Sequence, residues 1–290
     1  MLRTKHWIVR ACFRRLVVGA GAVFASMLAP IPAAFAQATL TAHYTLSFAR
    51  ITIGNADIAA KISPDSYSAI ATGRASGFLR ILLSGEGSVS AQGTISEERL
   101  IPSAVTARLK DEDESSAVSM TLDNGNVKDL TVDNSAPEHE RVRVTADHRR
   151  NIIDPLSAIL VRAGNGEALG AQTCRRTLPI FDGRRRYDLK LEFKRIDQVK
   201  THGYQGPALV CAVAFHAIAG HRVDSALVSY LSEGRNIELW LAPIAGTRVL
   251  APFRLSISNL IGDMVLEATA FETAKSVPVA PAPANSRSAL

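Results

Sequence analysis

Ala117-Val118-Ser119-Met120-Thr121-Leu122-Asp123-Asn124-Gly125-Asn126-Val127-Lys128-Asp129-Leu130-Thr131-Val132 is the stretch on which the fold turns. Val118, Met120 and Leu122 alternate with small or polar residues, the period of a half-buried strand. Asp123-Asn-Gly-Asn126 is the clearest tight turn in the chain, because Asn and Gly tolerate the positive φ that a two-residue hairpin needs. Val127 to Val132 is then the returning strand. Strands joined by so short a turn pair antiparallel.

The same pattern extends outward. Pro102 to Leu109 pairs with Ala117 to Leu122 across Lys110-Asp-Glu-Asp-Glu-Ser-Ser116, an acidic and solvated hairpin loop. Gly87 to Ile95 and Ser66 to Gly73 are further strands, and Leu40 to Arg50 alternates around His43, Tyr44, Leu46 and Phe48. Ile51 to Ile58 continues the series, with Gly54-Asn55 marking a turn or bulge. One stretch differs. Asp154 is an N-cap residue, Pro155 follows at the first helical position, and Leu156, Ile159 and Leu160 share a face. That predicts a short helix running to Arg162 and ended by Gly164, with a start as early as Asp147 left open. Strands then return at Cys174–Phe181, Arg185–Phe193, Ala208–His216, Ile237–Ala242, Val249–Ile257 and Met264–Phe271. Ala208–His216 is nearly all apolar, as a central strand is. The region from Lys275 on carries Pro278, Pro281 and Pro283 with no aromatic residue, which predicts a disordered tail over 274–290.

Several segments in order carry a resemblance. They are Gly54-Asn-Ala-Asp57, Asp154-Pro-Leu-Ser-Ala158, Phe181-Asp-Gly-Arg-Arg-Arg-Tyr187, Leu239-Trp-Leu-Ala-Pro243, Arg248-Val-Leu-Ala-Pro-Phe-Arg254 and Gly262 before a closing strand. Their order resembles the bacterial envelope family catalogued as domain of unknown function 3108, over about residues 38–272. The resemblance implies no assigned activity and no catalytic residues. The family pattern has an acidic residue after its Trp-Leu pair, whereas Ala242-Pro243 stands there in this chain.

The first 36 residues predict a cleavable secretory signal. Five Lys/Arg and no acid precede an apolar run from Leu16 to Ala29, and Ala34-Phe35-Ala36 supplies a small-x-small cleavage pattern before Gln37. Ala36-Gln37-Ala38 is the alternative site. The run of about 14 residues is short of the roughly 20 that a spanning helix needs. Arg14-Arg15 also fits a twin-arginine signal, although basic pairs are common in ordinary export signals. Gly19-Ala-Gly21 lies inside the apolar run with no strand before it, so it is no dinucleotide fingerprint. The expected divisions are a signal over 1–36, a β domain over 37–273 and the tail.

Export changes the charge argument. The chain has 33 Lys+Arg against 27 Asp+Glu, and losing the signal leaves 28 against 27. Nucleic-acid binding, which a basic chain otherwise suggests, loses its support. Of three cysteines, Cys12 leaves with the signal, and Cys174 with Cys211 is the pair expected to form a disulfide in an oxidising compartment.

Candidate chemistry is sparse. Ser157 has Asp154 and His148 near in sequence but lacks the strained G-x-S-x-G elbow. His216 and His221 are five apart, which is not zincin spacing, so neither a metal nor a cofactor is expected. Asp182-Gly-Arg184-Arg-Arg186 is the densest charge cluster. Arg184 and Arg186 would share a strand face, where guanidinium groups grip phosphate or carboxylate. A charged, solvated edge strand is the alternative. Asp154, the helix cap, can meet one of these arginines. Phe78-Leu-Arg-Ile-Leu-Leu83 is apolar and is either a buried strand or a lip over a cavity.

These observations predict a mainly β fold: a single antiparallel, strongly curved sheet, an open barrel or spiral, around one short α-helix. They favour a periplasmic, non-enzymatic binder of an apolar ligand, an anionic lipid or an envelope partner, touching the membrane only through its transient signal. A structural protein of envelope integrity and an envelope-polymer hydrolase are the alternatives.

Overall fold

A computed structural model describes residues 37–76, 85–110, 115–133, 140–233, 236–258 and 262–276. The signal over 1–36, the Phe78–Leu83 stretch, acidic residues 111–114 and the tail from 277 lie outside the described residues, whereas residues 274–276, expected in the tail, pair with Gln37–Thr39 in the last strand.

Seven strands come first: β1 (Gln37–Phe48), β2 (Ile51–Ile62), β3 (Ser66–Ala75), β4 (Glu86–Ile95), β5 (Leu100–Lys110), β6 (Ser115–Asp123) and β7 (Asn126–Val132). Each pairs antiparallel with the next. The turn between β6 and β7 has positive φ at both Asn124 and Gly125, as the sequence demanded. The Gly54 signal also has a structural counterpart, since the β1–β2 register slips between Leu46 and Ser47, opposite Gly54 and Thr52.

The second half holds helix α1 (Pro155–Ile159), the short strand β8 (Val161–Arg162), helix α2 (Ala171–Cys174), and strands β9 (Arg176–Phe181), β10 (Arg186–Thr201) and β11 (Tyr204–Ala219). Helix α3 (Ala226–Ser232) and strands β12 (Ile237–Pro243), β13 (Val249–Ile257) and β14 (Met264–Ser276) complete it. The order across the sheet is β7-β6-β5-β4-β3-β2-β1-β14-β13-β12-β11-β10-β9, with β8 beside β13. Every pairing between these strands is antiparallel and the sheet does not close on itself, the open antiparallel sheet that the strand pattern predicts.

Residues 151–153 bridge the two open edges. Ile152 N–H donates to Gly125 of the β6–β7 turn, while Ile153 exchanges bonds with Pro179 and Phe181 of β9. Gly183, in the β9–β10 turn, sits so close to Val118 of β6 that a Cβ there would overlap it.

Three expectations need correction. The helix from Pro155 stops at Ile159 rather than Arg162, because Val161–Arg162 leave to pair with Val249–Leu250 of β13. Cys174 ends a helical turn instead of opening a strand, which starts at Arg176. Two further short helices, α2 and α3, accompany the expected one. The separate 3-10 turn at Asp147–Arg149 does not join α1.

The concave interior is filled by Leu40, Tyr44, Ile58, Tyr67, Met120, Phe253 and Phe271 among others, and α1 adds Leu156 and Leu160. Tyr204, Phe253 and Phe271 meet ring to ring at 5.4–6.1 Å. A second core lies on the opposite face of β9–β13 and includes Leu191, Leu209, Leu239, Leu241 and Leu250. The Cys174–Cys211 disulfide pins the 161–175 segment over it.

Candidate functional site

Inward positions on β3 run Tyr67, Ala69, Ala71, Gly73 and Ala75, so bulk drops after Tyr67 and stays small toward the β3–β4 end. Register aligns Ala56, Gly73, Gly87 and Leu109 in one cross-strand row, and Ile58, Ala71, Val89, Ala107 and Val118 in the next. Small side chains in these rows leave a hollow of about 380 Å³, lined by Ala71, Val89, Ala107, Leu109 and Val118 besides the glycines. Leu109 stands at its rim, 56% exposed. A Cβ built on Gly73 or Gly87 would meet nothing closer than 3.7 or 3.5 Å respectively. The missing side chains are therefore not forced by a close backbone approach, the usual reason for a strand glycine.

The outward positions of the same strands are polar. Asn55, Asp57, Thr72, Arg74, Glu86, Ser88, Arg108 and Lys110 line a second hollow of about 400 Å³. The two hollows share Thr72, Gly73, Gly87, Ser88 and Arg108, so bare glycine backbone lies between them. Asp57 is engaged already: its Oδ1 lies 2.5 Å from His43 Nδ1, and Thr72 donates to its Oδ2 at 3.4 Å.

At the opposite end, α1 closes the interior. Asp154 caps it, Oδ1 accepting the N–H groups of Leu156 and Ser157 at 3.0 Å each. The carboxyl is fully buried, and among the described residues Oδ2 has no hydrogen-bond partner. Burial pushes its pKa upward, against the lowering effect of its hydrogen bonds. Ser157 Oγ lies 2.6 Å from Tyr67 OH. Burial, reinforced by the Asp154 charge, keeps the Tyr67 phenol protonated, so it offers Ser157 no base. Ser157 acts here as a tie between helix and sheet.

The predicted residues Arg184, Arg186 and Asp154 are not brought together. Arg184 Nη2 donates to the Asp133 carbonyl at 2.6 Å and ties β9–β10 to the end of β7. Arg186 Nη1 lies 2.5 Å from Asp188 Oδ1 and also bonds the Tyr187 carbonyl, with only 12% of its side chain exposed. Asp154 forms an ion pair with neither.

Two other motif residues do meet. The guanidinium groups of Arg254 and Arg195 lie over the Trp240 ring at 5.1 and 5.4 Å. Trp240 Nε1 donates to Asp197 at 2.8 Å, and Arg195 bonds both Asp197 and Glu238. Burial works to raise the Asp197 carboxyl, but its bonds from Arg195 and Trp240 outweigh that and hold it low. Lys194 joins Glu238, and Arg254 joins Glu267. Three cations and three carboxylates pair within this network, which braces the sheet, although Arg254 Nε is buried without a hydrogen-bond partner among the described residues.

The rim residues Gly73, Gly87, Arg74, Arg108 and Lys110 escaped sequence reasoning. The available signal was glycine at inward strand positions.

A family model described as protein of unknown function (DUF3108) matches residues 43–269. No curated protein matches the chain. Among solved structures, the chain is similar to the crystal structure of a beta-barrel-like protein of domain of unknown function DUF1849 from Brucella abortus. Identity is 10%, the match covers 81% of this chain and 98% of that one, and the TM-score is 0.41.

Proposed function

The chain belongs to the DUF3108 family, and we propose that it is an exported, non-enzymatic binding protein whose rim hollow receives an apolar ligand. One observation carries the reading: a strand row where an added Cβ would make only ordinary contacts holds Gly73 and Gly87 instead, and leaves apolar space. Export is supported by the basic and apolar order of residues 1–36 and by the Cys174–Cys211 disulfide, a feature of oxidising compartments. The test is mass spectrometry of material extracted from protein purified out of an exporting host. The wild type should carry an apolar molecule that the Gly73→Leu/Gly87→Leu variant lacks. Identical extracts from the two would sink the reading.

A structural role in the envelope, without a small ligand, is the second reading. It is favoured by the filled interior, where Tyr44, Phe253 and Phe271 belong to one buried core. Equal, ligand-free extracts together with a detergent-sensitive deletion strain would support it.

A further inference from the structure

Resting on that reading of the hollow, we infer that its ligand is an amphiphile with an anionic head group, held by Arg74, Arg108 and Lys110 while the tail occupies the hollow. Cross-strand register sets the geometry. Arg74, Glu86 and Lys110 form one outward row, and Thr72, Ser88 and Arg108 form the next. The cations thus stand on both sides of β4, at the same strand ends as the apolar hollow. The paired backbone at Gly73 and Gly87 separates the two hollows, but Arg108 borders both, so a head group held at Arg108 and a tail in the apolar hollow can share one end of the strands.

Charge supplies the choice of occupant. Arg186, Arg195 and Arg254 are each held by a carboxylate. Among the described residues Arg74, Arg108 and Lys110 form no such ion pair. Among the described lining residues the acids are fewer. Asp57 is committed to His43, and Glu86 stands between Arg74 and Lys110 in their row. Guanidinium donors favour a phosphate or carboxylate oxygen over a neutral head. A wholly apolar ligand would leave these donors unused, and a free anion would leave the hollow empty. An anionic amphiphile uses both.

Binding to the exported full-length product can be measured with dodecyl phosphate, dodecyl maltoside and inorganic phosphate, all below micelle-forming concentrations. Dodecyl phosphate should bind about tenfold or more tightly than dodecyl maltoside, the gain of charge-assisted bonds. The Arg74→Gln/Arg108→Gln/Lys110→Gln variant should erase that difference and keep the maltoside affinity. Gly73→Leu/Gly87→Leu should weaken both detergents. Thermal unfolding of each variant checks that it folds. Equal affinity of the wild type for both detergents, with both lost in the glycine variant, overturns the head-group inference and leaves the hollow reading standing. Detergent binding untouched by the glycine variant overturns both. Inorganic phosphate competing as well as dodecyl phosphate also overturns the inference, because the tail then contributes nothing.

Discussion

The two halves of the sheet are built from the same antiparallel pairing and buried differently. Strands β1–β7 bury one face. β1 alternates buried and exposed positions, and Thr41 and His43 face water beside Leu40 and Ala42. Strands β11–β13 bury both. Leu209 and Leu241 enter the outer core while Val210 and Ala242 enter the inner one, and all are fully buried. The outer layer of residues 161–175, with its disulfide, covers that second face. The two-sided half therefore carries a larger share of the stability per residue, and the one-sided half is free to leave space. The rim hollow lies entirely in the one-sided half.

The largest expected effect tests the two-sided half. Leu241→Ala removes a side chain buried in a close-packed layer and should cost about 2–5 kcal/mol by urea denaturation. Val89→Ala, in the half-buried row beside the hollow, should cost less than about 1.5 kcal/mol, because little packing is lost. Equal losses would break the comparison. Replacing Cys174 and Cys211 with Ser opens a loop of sequence separation 37 and should cost about 3–4 kcal/mol. Hydrogen exchange should then quicken first in residues 161–175 and leave β2–β5 unchanged.

Helix α1 joins the halves, and its cap gives the next prediction. Asp154→Ala should cost about 1–2 kcal/mol, the loss of an N-cap. The pH dependence has a definite sign. A carboxyl whose folded pKa is raised holds its proton in the folded state where the unfolded chain has already lost it. Its contribution to stability is fully present below the unfolded value of about 3.9 and declines as pH rises through the folded one. Asp154→Asn keeps a cap and cannot titrate. Relative to that variant, the wild type should gain stability between pH 7 and pH 4. A parallel pair of pH profiles would remove Asp154 as the cause.

Legibility in the sequence divided along the same line. The one-sided half could be read because each strand alternates and each turn is local: Asn124-Gly125 fixes the β6–β7 hairpin, and the strands follow from it. In the two-sided half, tertiary pairing overrides local pattern. Val161–Arg162 continue the helical pattern yet join β13, and Cys174 sits on a helical turn because the outer layer must cross to Cys211. Expected strand Arg185–Phe193 stops where a register shift at Phe193–Arg195 lets β10 continue to Thr201. Asp154 was visible as a cap, since capping is local. The rim cations were not. Arg74 and Lys110 lie 36 positions apart and share a row only through the register of two intervening pairings, and a one-residue slip would send either to the other face.

The smallest stability effect sharpens the comparison most. Gly220 in the two-sided half has φ +79°, and a Cβ there would overlap the Arg184 carbonyl, so Gly220→Ala should cost about 1–3 kcal/mol. Gly73 in the one-sided half has neither constraint. Gly73→Val replaces a strand glycine, whose freedom in the unfolded chain opposes folding, with a residue that suits a strand and whose Cβ meets only ordinary contacts at 3.7 Å or more. Its stability should change by less than about 1 kcal/mol, and in the favourable direction. A glycine retained where a larger residue would stabilise is explained by the space that it leaves. If Gly73→Val destabilises the protein as much as Gly220→Ala does, Gly73 is a packing requirement after all, and the hollow loses its best argument.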